Sequence, residues 1–231
     1  MTVTDALPRA TLDFLAELRE NNNRDWFDAH RSRYEECVLA PAKELVSGLA
    51  PRLERLAPGI RAEPRVLASI FRINRGTRFS PDKRPYKDHL DLWFWHGARA
   101  TAVSGLFLRL TPESVVIGAG AHGLAKAQLQ RFRDAVCDPR AGLELRDIAE
   151  GLESDGIGIH GRELTRPPRG HVAPPDVEPF LLHRALFVAV TEPAEFATEP
   201  GLLDRLERRW RPLAPVHRWL VDHVQDTATA R

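Results

Sequence analysis

Hydrophobic residues recur at helical spacing over the first quarter of the chain. Leu12, Leu15 and Leu18, with Phe14 beside them, predict a helix over residues 11–20. The Asn21-Asn22-Asn23 triplet stops it and supplies an N-cap for a second helix, and Asp25 is placed to favour its first turn. Phe27, His30, Tyr34, Cys37 and Val38 line one face of that second helix. Pro41 suits the first residue of a third, whose stripe is Leu45, Val46, Leu49, Leu53 and Leu56, and Pro58-Gly59 ends it.

From there the period shortens to two. Residues 68–73, 89–95, 104–110 and 115–118 predict four short strands, the last two closed into a hairpin through Thr111-Pro112-Glu113-Ser114. Helices are expected over 124–136 and 143–152, and a Gly- and Pro-rich stretch over 156–179. A fifth strand is expected over 185–190, then helical material over 202–224, broken near Pro212 and Pro215. Strands grouped in the middle with helices at both ends predict an α+β fold. Its sheet is antiparallel, of four to five strands, with an N-terminal helical layer and flanking C-terminal helices. One domain over 1–224 and a disordered tail over 225–231 are expected.

Composition narrows the function classes. Lys and Arg number 33 against 32 Asp and Glu, a net charge of +1, which gives no global reason to expect a polyanion partner, and any such partner would have to be held by a local patch. Cys37 and Cys137 are expected to be reduced thiols of a cytoplasmic protein. The first ten residues show no signal peptide and no run reaches 18 apolar residues, so no membrane partner is expected. The wealth of Arg, Ala and Pro with few Lys suggests a bacterial source. Nothing indicates an oligomeric state.

Against that balance one segment stands out. Arg72, Arg75, Arg78, Lys83, Arg84 and Lys87, opposed by Asp82, put +5 on residues 72–87 and leave −4 on the rest. Gly76, Ser80 and Pro81 let the backbone turn, and Phe79 and Tyr86 interleave the cations. Arg presents a planar fork to carboxylate or phosphate and Lys a mobile point charge. Arg72, Arg78, Lys83 and Lys87 are therefore expected to bind an anionic or phosphorylated small molecule, with Tyr86 as hydrogen-bond donor or stacking surface. Arg166 and Arg169, on the stiff Arg166-Pro167-Pro168-Arg169-Gly170 segment, are expected to reach the same ligand. Should a reaction occur there, Tyr86 or His89 would carry the proton. The alternatives are a non-enzymatic nucleic-acid-binding module using the same cations, and a protein-interaction domain.

Other motifs add less. Residues 118–123 read GxGxxG, but the strand before them belongs to a hairpin and no parallel strand with a ribose-binding acid follows. A Gly-rich strand-to-helix turn is the simpler reading, and its amides could join the same anion. His89, Asp91 and Trp93 alternate onto one strand face. His89 beside Asp91 would suit a base with its orienting carboxylate or two metal ligands, yet no third ligand is evident and a polar sheet edge accounts for them. No metal and no cofactor is assigned.

The ordered set Asn22-Asn23-Arg24-Asp25-Trp26-Phe27, Phe71-Arg72-Ile73, Thr77-Arg78-Phe79-Ser80, Asp82-Lys83, Pro85-Tyr86-Lys87 and Arg166-Pro167-Pro168-Arg169-Gly170 resembles a bacterial and fungal family, catalogued as domain of unknown function 2461. Arg72, Arg78, Phe79, Lys83, Tyr86 and Lys87 fall on its motif positions. His171, where that family usually has an aromatic residue, departs from the pattern. The resemblance implies a one-domain α+β fold and brings no established activity, cofactor or catalytic residue.

Overall fold

The computed structural model describes residues 5–226 apart from 77 and 79. The expected disordered tail thus lies outside the described residues except for Gln225 and Asp226, and Phe79 lies outside them too. Helix α1 (Arg9–Glu20) ends at the asparagine triplet, and Asn23 caps α2 (Arg24–Ala29) by accepting from the Trp26 amide at 3.0 Å. The second expected helix breaks at His30, and its later part is continuous with the third. Helix α3 (Arg31–Tyr34) passes through a π turn (Glu35–Leu39) into α4 (Ala40–Leu56). Pro41 is the second residue of α4, and it lacks the N–H that would close on the Cys37 carbonyl four residues back. The buried Thr11 hydroxyl from α1 donates to that carbonyl at 2.5 Å instead, tying the two helices together.

Six strands form an antiparallel sheet in the order β1-β2-β3-β4-β6-β5, and with the helices they make the fold α+β. Strands β2 (Leu90–His96), β3 (Gly105–Leu110), β4 (Ser114–Ala121) and β6 (His183–Pro193) lie where alternation placed them, though β4 and β6 are longer. Short β1 (Ile60–Arg61) and β5 (Ile159–Arg162) pair at the edges. The strand expected over 68–73 is reduced to isolated bridges, such as Ile70 to Leu92. Its backbone is drawn into turns on Glu63 and Arg65, with Leu67 left-handed at φ 67°, so no continuous ladder forms.

Alternation gives the sheet two unlike faces. Leu90, Leu92 and Phe94 of β2, Leu106, Leu108 and Leu110 of β3, and Val115 and Ile117 of β4 point to a dry core. This core is closed by α4 and by α5 (Lys126–Cys137), α6 (Pro139–Ser154), α7 (Leu202–Trp210) and α8 (Ala214–His223). The Trp210 indole donates to the Gly118 carbonyl at 3.1 Å and that of Trp219 to the Ala141 carbonyl at 2.9 Å, so both rings are buried with their polar atoms satisfied. A smaller cluster of Phe14, Leu18, Phe27, Tyr34, Val38, Ile73 and Tyr86 joins the first helices to the basic strap. Both cysteines are free thiols, and no helix among the described residues is long and apolar enough to cross a membrane.

Candidate functional site

The strap over 72–87 is built as a pinned loop. Asn74 bridges to Tyr86, the Arg75 amide donates to the Pro85 carbonyl and the Lys87 amide to the Ile73 carbonyl, both at 2.8 Å. The Asn22 side chain then brackets Tyr86. Its amide donates to the Tyr86 carbonyl and its oxygen accepts from the Tyr86 N–H, each at 3.0 Å. The first and fifth segments of the motif set quoted above therefore meet in space. The Tyr86 ring is 5% exposed and stacks on Phe27 with centroids 4.1 Å apart, a packing position rather than one open to a ligand.

Arg75, Arg84 and Lys87 of the strap face carboxylates of the chain itself. Arg75 and Arg84 converge on Asp82, with Arg84 Nη2 at 2.8 Å. Hydrogen bonds from Arg84 and then Arg75 hold the Asp82 carboxyl well below the usual carboxylate range. Lys87 reaches Asp91 at 3.0 Å. Arg72, Arg78 and Lys83 are exposed. Arg166 and Arg169 are exposed as well, on the segment that follows β5, whereas the strap leads into β2 on the other side of β3, β4 and β6.

Where the strap enters the sheet, a groove opens on the uncovered face. It has a volume of about 630 Å³, within the usual range of small-molecule sites. Register orders this face of the sheet in rows: Asp91, Arg109 and Val116; then Trp93, Phe107, Gly118 and Ala189; then Trp95, Gly105, Gly120 and Phe187. The mid-strand glycines give the rings room to lie down. A Cβ on Gly105 would strike the Trp93 indole nitrogen, and one on Gly118 would strike the Phe107 ring. Gly120 sits at φ 119° with the Leu186 carbonyl pressed against it, a place only glycine fills without strain. The GxGxxG spacing thus serves close packing inside an antiparallel strand, and a dinucleotide turn is absent at this position.

One end of the groove is charged. Arg109 Nε donates to Asp91 Oδ1 at 2.7 Å, and Lys87 Nζ donates to Asp91 Oδ2 at 3.0 Å. His89 Nε2 lies 3.3 Å from Asp91 Oδ2, and its Nδ1 lies 3.0 Å from Asp88 Oδ1. Burial alone would raise the Asp91 carboxyl, but hydrogen bonds from His89 and Arg109 outweigh it and hold the group ionised. The pairing of His89 with Asp91 read from alternation is present. With a carboxylate against each ring nitrogen, His89 bridges two acids and offers no open lone pair to the groove. The other wall carries His122, between Phe107 and Phe187 at 4.8 and 4.2 Å. Burial, then the charge of Arg109, lowers its pKa, so the imidazole is neutral at pH 7.

Sequence reading thus found Lys87, His89, Asp91 and Trp93 but missed Phe107 and Arg109, which reach the groove through strand register, and His122, which follows the end of β4. The mid-strand glycines were the signal for them. Among the described residues no group of three or more His, Cys, Asp or Glu side chains is arranged to hold a metal.

A family model described as a conserved hypothetical protein, DUF2461, matches residues 10–219. The chain belongs to this family. The match runs from the start of α1 into α8 and takes in both halves of the groove, so the matched region includes the whole candidate site. No curated protein matches the chain.

Proposed function

We propose that this DUF2461 protein binds an anionic small molecule with a flat apolar body in the groove on the open sheet face. The observation that carries this reading is the juxtaposition of an aromatic floor, Trp93 and Phe107, with the Lys87–Asp91–Arg109 cluster at its end. The rings supply stacking area, and the cluster, two cations on one carboxylate, keeps a net positive charge that draws a negatively charged ligand toward the groove. The expected anion site therefore moves from the tip of the basic strap to its root. His122 supplies a neutral hydrogen-bonding group on the opposite wall. No reaction is assigned.

Calorimetric titration with flat aromatic acids tests this. Phe107→Ala removes the floor without opening the core, and binding should weaken about tenfold or more. Equal affinity of wild type and variant would contradict the reading. A second reading, single-stranded nucleic acid stacked on the same rings, is favoured by the exposed Arg72 beside the groove residue Phe71. It predicts affinity falling with salt at a slope of about −0.7 per phosphate contacted.

A further inference from the structure

The loop from Gly97 to Ser104 joins β2 to β3 and holds Arg99 against three rings. The guanidinium carbon lies 5.3 Å from the Trp93 ring centre, 5.5 Å from Phe71 and 5.6 Å from Trp95. Its Nε–H donates to the Ala68 carbonyl at 3.2 Å. The two terminal nitrogens have no hydrogen-bond or ion-pair partner among the described residues, whereas Lys87 and Arg109 are both engaged by Asp91. Phe71 and Trp93 are groove residues, and the same loop supplies Ala102, Val103 and Ser104 to the groove wall.

An arginine is a long side chain that normally spreads over many rotamers. Here three aromatic contacts hold the guanidinium in place and the Ala68 carbonyl takes its Nε–H. What remains is a preoriented fork of two parallel N–H donors at the rim of an aromatic groove. That fork matches the two coplanar oxygens of a carboxylate. The Arg99 guanidinium by itself matches one unit of negative charge, and a phosphate monoester carries nearly two.

We infer that the groove recognises a planar aromatic monocarboxylate, with the ring on Trp93 and Phe107 and the carboxylate on the terminal nitrogens of Arg99. This rests on the groove reading above and adds the ligand's chemical class and the residue that reads it.

Three matched probes test it by calorimetry on the full chain: 2-naphthoate, the neutral 2-naphthamide and 2-naphthyl phosphate. The wild type should bind naphthoate at least tenfold more tightly than either of the others. Arg99→Ala, an exposed loop substitution, should erase the preference over the amide, and Arg99→Lys should restore it only in part because it lacks the fork. Equal binding of naphthoate and naphthamide, or a preference that survives Arg99→Ala, overturns the role of Arg99 while leaving the groove as a ring site. Tighter binding of the phosphate overturns the carboxylate class. Failure of all three probes to bind overturns the groove reading as well.

Discussion

Leu92 and Trp93 are neighbours in β2, yet they belong to opposite faces of the sheet that differ in almost every respect. On the Leu92 face, Leu, Ile, Val and Phe side chains are almost all less than a tenth exposed and are packed under helices. On the Trp93 face, glycines alternate with large rings, an ion cluster sits at one end and no helix covers the floor. The first face is what apolar burial demands of an α+β sheet. The second leaves aromatic surface in water and stores charge beside it, an arrangement with little value for stability. The comparison teaches that the two faces answer to different requirements, folding on one and, on the reading proposed above, recognition on the other.

The comparison can be broken by substitution, and the largest effect is expected on the covered face. Phe94 is fully buried and meets Trp210 edge-to-face at 5.7 Å. Phe94→Ala should cost about 3–5 kcal/mol in urea unfolding. Next comes His217, on α8, whose Nδ1 lies 3.0 Å from the Ser104 hydroxyl in the interior. Burial, then the charges of His96 and Arg218, pushes its pKa down to about 3 from an ordinary value of 6.5. Between those values the unfolded chain binds the extra proton, so this contribution is complete above pH 6.5 and is lost as pH falls toward 3. The wild type should lose about 2–3 kcal/mol more between pH 7 and pH 4.5 than His217→Asn, which keeps a hydrogen-bonding group near Ser104. Equal losses would show that the histidine is not held neutral.

A smaller effect is expected at the root of the strap. Asn22→Ala removes both hydrogen bonds to the Tyr86 backbone and should cost about 2 kcal/mol, with hydrogen exchange rising at Arg75 and Lys87. Smallest is Phe107→Ala, below about 1.5 kcal/mol, since its ring lies on the open face. A cost equal to that of Phe94→Ala would erase the distinction between the faces.

Much of this was legible from local pattern. The helical stripes and the alternation over β2, β3 and β6 follow from apolar spacing alone, and the caps from Asn23 and the prolines. Strands β1 and β5, of two and four residues, are too short to show a period, and Gly161 interrupts β5 at φ 107°. The stretch over 68–73 alternates like a strand, yet turns on Glu63 and Arg65 divert its backbone. For the site, β2 alone put Asp91 and Trp93 on one face. Phe107 and Arg109 come opposite them through pairing across 14 and 18 residues of sequence, which no local pattern encodes. Charge counting identified the strap but not its pairing with Asp82 and Asp91, which distributes the cations instead of gathering them.

The central claim, that the open face is the working surface, is tested most directly by following the five tryptophan indole N–H resonances while 2-naphthoate is added. The Trp93 signal, assigned through Trp93→Phe, should move with the ligand while those of Trp210 and Trp219 beneath the sheet stay fixed. Shifts confined to the strap residues Arg72 and Lys83, with Trp93 unmoved, would contradict it.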